Sequence, residues 1–307
     1  MISGKDCEKS MSKIQVLSRS EFAALKEELP FKKQLEKNLE HVSCCKVEVY
    51  PPCVLGVLQI PDKSNLGDVP ECLGYYIKEN RVLLIHGESE RDLEKVREIE
   101  KKMVSEKNGT GEFWEIRILL LLFQCLIEQE IPYLQKFEEK ITEAEHILLN
   151  ETPQELPCLL MGLRKGIMKL HNFYVQLTDI GEELQGGSCR LISKEQLGEW
   201  NIFTNRVSRL HDYTENIREN LLQMHELYQS QIDVRQNEIM TVLAVVTAVF
   251  MPLSLLTGWY GMNFPNMLLL NWKYGYLTIV ILTGVVIGLE LLYFCKKGFF
   301  KRVLKKI

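Results

Sequence analysis

Along the first third of the chain, apolar, β-branched and aromatic residues gather in four short runs between Cys44 and Ile85: KVEVY, VLGVLQI, LGYYIK and RVLLIH. Turn-forming stretches, PDKSNLGDVPE and Glu79-Asn80, separate them, so the runs predict strands. Helical spacing flanks them, over Glu21–Glu40 before and Glu90–Val104 after. From Glu112 to Leu149 the pattern becomes that of a long amphipathic helix interrupted at Pro132. Thr152-Pro153-Gln154-Glu155 is a capping box with proline at the first helical position, which starts a further helix. Gly186-Gly187 closes that helix, and Ser193 with Gln196 offers another box.

The helix that follows has no glycine or proline between Gly198 and Pro252. It is expected to run unbroken from about Ser193 to Gly258, roughly 100 Å at 1.5 Å per residue. Its first half carries Phe203, Val207, Leu210, Thr214, Ile217, Leu221, Met224 and Tyr228, alternating in steps of four and three. That spacing is a coiled-coil-like seam. It fits a stalk that carries conformational change or a plain antiparallel bundle, and the seam alone does not choose.

The second half changes character. No Asp, Glu, Lys or Arg occurs from Ile239 through Trp272, and a second apolar run covers Tyr274 to Cys295. Ile239–Tyr260 spans roughly 33 Å as a helix, enough for a bilayer core of about 30 Å. Lys296, Lys297, Lys301, Arg302, Lys305 and Lys306 crowd the tail, while the inter-helix turn carries only Lys273. This asymmetry, with a polar N-terminus that lacks a signal-peptide core, predicts two spans with both termini cytoplasmic in the plasma (inner) membrane.

Composition narrows the function. The 307 residues carry a net charge of −4, which gives no basic footprint for nucleic acid. Mean hydropathy is slightly negative despite the two spans, so a sizeable charged region must precede them. Nine scattered cysteines fit reduced thiols. Cys44-Cys45 near His41 could form a soft-metal cluster, but buried thiols on a strand are the simpler reading. No P-loop, nucleophile elbow or His/carboxylate constellation is present, so no enzyme and no cofactor is expected.

Within the first span, Met240, Ala244, Thr247, Met251, Ser254 and Gly258 recur on one face, with Asn237 just below and Glu226 about three turns earlier. The other faces hold Val242, Val245, Val246, Val249, Phe250, Leu253, Leu255 and Leu256. A small or polar stripe of this kind either packs against a neighbouring helix or lines a pore. Carboxylates such as Glu226, repeated around an axis, would hold divalent cations. Pro252 frees the carbonyl of Ala248. Trp259, Tyr260, Trp272, Tyr274 and Tyr276 form an aromatic belt. Glu290 is a carboxyl inside the second span, expected to snorkel toward the lysines of the tail.

Asn237-Glu-Ile-Met240, Phe250-Met-Pro-Leu253, Tyr260-Gly-Met-Asn-Phe264 and Asn271-Trp-Lys-Tyr-Gly-Tyr276, in that order and spacing, resemble the CorA family of magnesium transporters. The resemblance implies an α+β cytoplasmic domain, long α-helices and two C-terminal transmembrane helices, assembled as a funnel-shaped homopentamer with the first span lining the pore. It implies domains at 1–110 (α/β), 111–238 (helical bundle and stalk), 239–260 (first span), 261–273 (external loop), 274–295 (second span) and 296–307 (basic tail). By the same likeness, Gly261, Met262 and Asn263 form the outer selectivity ring, where Asn263 meets the metal through its hydrating water. Met240 and Leu243 fall at the hydrophobic gate. The partners implied are hydrated divalent cations, the lipid bilayer and further copies of the chain. Mg²⁺ would be the chief cargo and a regulatory ion, with Co²⁺ or Ni²⁺ as passengers.

Two features depart from the family pattern. Many relatives carry Met-Pro-Glu-Leu after Gly-Met-Asn, whereas Met267 is followed here by Leu268, Leu269 and Leu270, which removes a carboxylate ring from the mouth. The stalk region Glu199–Arg206 lacks the closely spaced aspartates that join a Mg²⁺ sensor in some relatives, so the regulatory cation sites stay unassigned. Two alternatives to a Mg²⁺ channel follow: a zinc-transporting relative of the same architecture, and a non-conducting membrane-anchored cation sensor or scaffold.

Overall fold

A computed structural model describes residues 14–79, 81–87, 114–150, 156–186, 192–262 and 272–296, with a few positions between 93 and 101. It divides into two compact units, Met1–Met224 and His225–Ile307.

The first unit is built on a five-stranded sheet of order β1-β5-β4-β3-β2. β2 (Lys46–Tyr50), β3 (Cys53–Ile60), β4 (Glu71–Lys78) and β5 (Arg81–His86) are the four expected runs, paired antiparallel in sequence order. β1 (Ile14–Ser18) was not expected from the pattern. It pairs parallel to β5, and Ile14 is its one buried residue, so its period-two signal is faint.

The expected helix over Glu21–Glu40 is two helices, α1 (Arg19–Ala24) and α2 (Lys32–Glu40). Ser18 and Glu21 form a reciprocal capping box that starts α1. The break has a local cause. Pro30 precedes Phe31, which takes the left-handed conformation at φ 58° and stacks on Tyr50 with ring centroids 3.8 Å apart. Lys32 Nζ then donates to the carbonyls of Ala23 and Leu25 at 2.9 and 2.8 Å, which satisfies the end of α1.

The sheet is covered on both faces. Phe22, Leu35 and Leu39 from α1 and α2 pack with Leu55, Val57, Tyr76, Leu83 and Ile85. On the opposite face, Tyr75 meets Phe123 of α3 (Trp114–Ile127) edge-on at 6.0 Å, and Phe123 in turn meets Trp200 and Phe203 at 5.8 and 5.6 Å. Each of these fully buried aromatic side chains is worth about 1.5–3 kcal/mol of apolar burial.

The long pattern over Glu112–Leu149 breaks at Glu128-Gln129 rather than at Pro132. Pro132 instead sits third in α4 (Glu130–Asn150), where a missing N–H leaves no helical bond unmade. The capping box at Thr152–Glu155 lies outside the described residues. α5 is Leu156–Gln185, and the Gly186 N–H bonds back to the carbonyls of Glu182 and Glu183. The box at Ser193 and Gln196 is reciprocal, at 3.0 and 3.3 Å, and opens α6.

α6 is continuous over Lys194–Tyr260, with Pro252 inside it. Phe203, Val207, Leu210, Thr214, Ile217, Leu221 and Met224 are all buried, and Tyr228 is half-buried. The seam is therefore the packed face of an antiparallel contact with α5. Gln185 and Thr204 are joined at 2.6 Å, and His171 and Thr214 lie further along in the opposite sense. At Gly181 the helices come so close that a Cβ would lie 2.4 Å from Thr204 Oγ1. Beneath them Glu130, almost fully buried, accepts a hydrogen bond from Tyr174 at 2.7 Å and pairs with Lys63 at 3.0 Å. That pairing is what a buried carboxylate requires.

In the second unit, α6 and α7 (Gly275–Lys296) are long and apolar enough to cross a membrane, and neither apolar stretch is buried within the chain.

Candidate pore-lining helix

The membrane segment of α6 is apolar because its side chains must be, and helical because only a helix satisfies its own backbone in lipid. At 100° per residue, Met240, Ala244, Thr247, Met251, Ser254 and Gly258 lie on one face, all exposed, and Leu243 is exposed beside Met240. Thr241, Val245, Ala248, Val249, Pro252, Leu253, Leu256 and Tyr260 are half-buried. The centre of that half-buried face is about 150° round the helix from the stripe. On α7, Ile279, Thr283, Val286, Ile287, Glu290 and Phe294 are half-buried on one face, and Gly288 is half-buried opposite them.

The threonines are anchored to their own helix. Thr241 donates to the Asn237 carbonyl at 2.7 Å, Thr247 to Leu243 at 2.8 Å and Thr257 to Leu253 at 3.0 Å. Asn237 and Glu226 are exposed on the polar turns that precede the span. Since all these residues sit on one helix, a single chain does not bring them around a common point.

At the outer end, the Gly261 N–H bonds to the Thr257 carbonyl at 2.9 Å. A Cβ at Gly261 would lie 2.8 Å from that same oxygen, so the position has no room for a side chain. Met262 is exposed just beyond the helix. Asn263 and the leucines Leu268, Leu269 and Leu270 lie outside the described residues.

Apart from Lys296, the lysines toward which Glu290 was expected to snorkel lie outside the described residues. The Glu290 Oε2 is shut off from solvent and has no hydrogen-bond partner among the described residues, because the residue lies on the half-buried face of α7.

The soft-metal alternative at Cys44-Cys45 also finds no support in the geometry. Cys45 is buried, its Sγ accepts from the Gln59 N–H at 3.2 Å, and burial pushes its thiol up to about 12. Among the described residues no group of three or more His, Cys, Asp or Glu side chains is placed to hold a metal ion. What the sequence reading missed is the polar junction between α4, α5 and α6, where Tyr213 donates to Glu138 at 2.7 Å and His171 meets His211. These partners are 40 or more positions apart on separate helices, and no local pattern announces them.

Comparison with known proteins agrees with the architecture. The chain is 27% identical over 180 residues to the cobalt/magnesium transport protein CorA of Thermotoga maritima, covering 59% of this chain and 51% of that relative. It is 28% identical over 229 residues to the protein of the same description from Methanocaldococcus jannaschii, covering 74% and 71%. The match thus spans about half the length of the first relative and more of the second. Among solved structures, the complete CorA magnesium transporter from M. jannaschii superposes with a TM-score of 0.75 at 23% identity, over 91% of this chain and 88% of that one. The full-length CmaX protein follows at 0.69 and 19%, over 91% and 86%. The cytoplasmic domain of ZntB from Vibrio parahaemolyticus gives 0.53 at 11% identity, over 70% and 83%. At these identities the structures establish the fold: an α+β domain, a long helix and two membrane helices. The family model described as CorA-like Mg²⁺ transporter protein matches residues 13–302, and by that match, over nearly its whole length, the chain belongs to the CorA family of membrane transporters, not to a class of enzymes.

Proposed function

We propose that this protein is a divalent-cation channel that takes up chiefly Mg²⁺ across the plasma membrane, as a homopentamer with both termini in the cytoplasm. The observation that carries the reading is the Tyr260-Gly-Met-Asn sequence at the end of an unbroken membrane helix with a small, polar and exposed stripe. Copies of that stripe around an axis enclose a path, which one helix cannot. Mg²⁺ dehydrates reluctantly, so a ring of Asn263 amides with the Gly261 and Met262 carbonyls binds it through first-shell water. Met240 and Leu243 close the inner end by excluding water. Glu226 and Asn237 stand at the cytoplasmic mouth, and Thr247, Met251, Ser254 and Gly258 line the way between.

Uptake needs no chemical fuel. A divalent ion crossing 100 mV gains roughly 4.6 kcal/mol, about three decades of accumulation. Co²⁺ and Ni²⁺ share the octahedral hydration that such a ring reads and travel as passengers, while Mg²⁺ inside the cell acts as the closing ligand.

Uptake into proteoliposomes under an inside-negative potential tests this, with Asn263→Ala beside the wild type. Mg²⁺ flux that scales with the potential and disappears in the variant supports the channel. Zn²⁺ flux without Mg²⁺ flux would assign the zinc-transporting alternative. No flux of either ion through a verified oligomer, freed of internal Mg²⁺, would leave a membrane-anchored sensor.

A further inference from the structure

His171 on α5 and His211 on α6 face each other with ring centroids 4.6 Å apart and planes tilted by 36°. His171 Nδ1 lies 3.4 Å from Thr214 Oγ1 and 3.7 Å from Glu215 Oε2. Thr214 gives its only proton to the His211 carbonyl at 2.7 Å, so its oxygen can only accept from the ring. His171 therefore carries its hydrogen on Nδ1, and acidification adds the second proton at Nε2. His211 Nδ1 stands 3.2 Å from Asp212 Oδ1.

The other groups at the junction are few. On α6, Glu215 is engaged by Arg218. From α4, Glu138 reaches the junction by accepting from Tyr213. On α5, the positions three and four residues from His171 are Ile167, Met168, Tyr174 and Val175, none of them ionised near neutrality. The cluster is not a preformed metal site, since no three potential ligands among the described residues are grouped for an ion.

We propose that the His171–His211 pair is a proton-operated latch between α5 and α6: with at most one proton it holds the helices together, and with two it drives them apart. One imidazolium beside a neutral imidazole is tolerable. Two facing imidazoliums repel, and Glu215, already shared with Arg218, neutralises only part of the charge. The side chain of His211 is 34% exposed and borders Asp212, while that of His171 is 15% exposed.

The sign follows from the environment of His171. Burial and the neighbouring His211 lower its pKa, Glu215 opposes them, and Arg218 adds to the lowering. A histidine whose folded value lies below its unfolded one stabilises the fold fully above the unfolded value of 6.5. That contribution is lost as pH falls through this value toward the lower, folded one. α6 is the same helix that continues into the first membrane span, so cytoplasmic acid acts on the element proposed to line the pore.

Hydrogen exchange on the full-length protein in detergent, corrected for intrinsic rates, tests the latch independently of transport. The amides of residues 164–178 and 204–218 are expected to lose protection about tenfold between about pH 7.5 and about pH 5.5. His211→Gln should abolish that loss. Equal protection of the wild type at both pH values, or an unchanged loss in His211→Gln, would overturn the proposal. Should His211→Gln disturb the helices at the higher pH, the imidazole resonances of the wild type decide. Two titrations, the second displaced well to acid, support the latch, and two independent titrations at the ordinary value refute it.

Discussion

The two halves of α6 step in threes and fours alike and use that spacing for opposite ends. From Phe203 to Met224 the stepped face is apolar and buried, answered by α3 and α5 of the same chain. From Met240 to Gly258 it mixes methionine, alanine, threonine, serine and glycine, and it is exposed, with nothing among the described residues to answer it. Periodicity says only that one face of a helix matters. Whether the face is a core or a conduit depends on what stands opposite, which for the membrane half the proposed ring of copies would supply.

The sharpest way to break this contrast is truncation. Phe203→Ala removes a fully buried ring from the aromatic cluster and should cost about 3–5 kcal/mol, whereas Met251→Ala should stay within about 0.5 kcal/mol. Denaturant titration of the full chain, followed by circular dichroism, reads both, and equal losses would dissolve the distinction. A smaller effect is expected at the proposed gate. Leu243→Asn should let water into the constriction and raise flux at high internal Mg²⁺ about tenfold, equivalent to about 1.4 kcal/mol of closing bias. Fluxes that match the wild type would remove Leu243 from the gate.

The finest comparison uses one residue type in both halves. Thr204 is buried, donates to the Trp200 carbonyl at 3.0 Å and accepts from Gln185 at 2.6 Å. Thr204→Val removes one of the two acceptors of the Gln185 amide, which keeps its bond to the Gly181 carbonyl, and should cost about 1 kcal/mol. Thr247→Val touches an exposed hydroxyl and should leave stability unchanged within about 0.5 kcal/mol. A reversed order would place the packed face on the wrong half.

Much of this was legible in the residues. β2 to β5 follow the four apolar runs, and α6 covers the expected span, passing through Gly198, Pro252 and Gly258 without a break. β1 escaped notice because one buried residue in five leaves no alternation to see. The division of Glu21–Glu40 turned on a left-handed Phe31 and on Lys32 reaching back to α1, both three-dimensional facts. The seam predicted a packed helix but not its partner, and so could not foretell that His171 would lie against His211.

In the proposed channel, Thr247 would bear on how ions are distinguished by sign. Its hydroxyl has spent its one proton on the Leu243 carbonyl and keeps only lone pairs to offer outward. A ring of such oxygens has nothing to donate to chloride or phosphate. To the outward-turned hydrogens of a hydrated cation it presents acceptors alone. Rejection of anions along the proposed pore would then be a matter of proton inventory, in a segment that carries no ionised side chain at all.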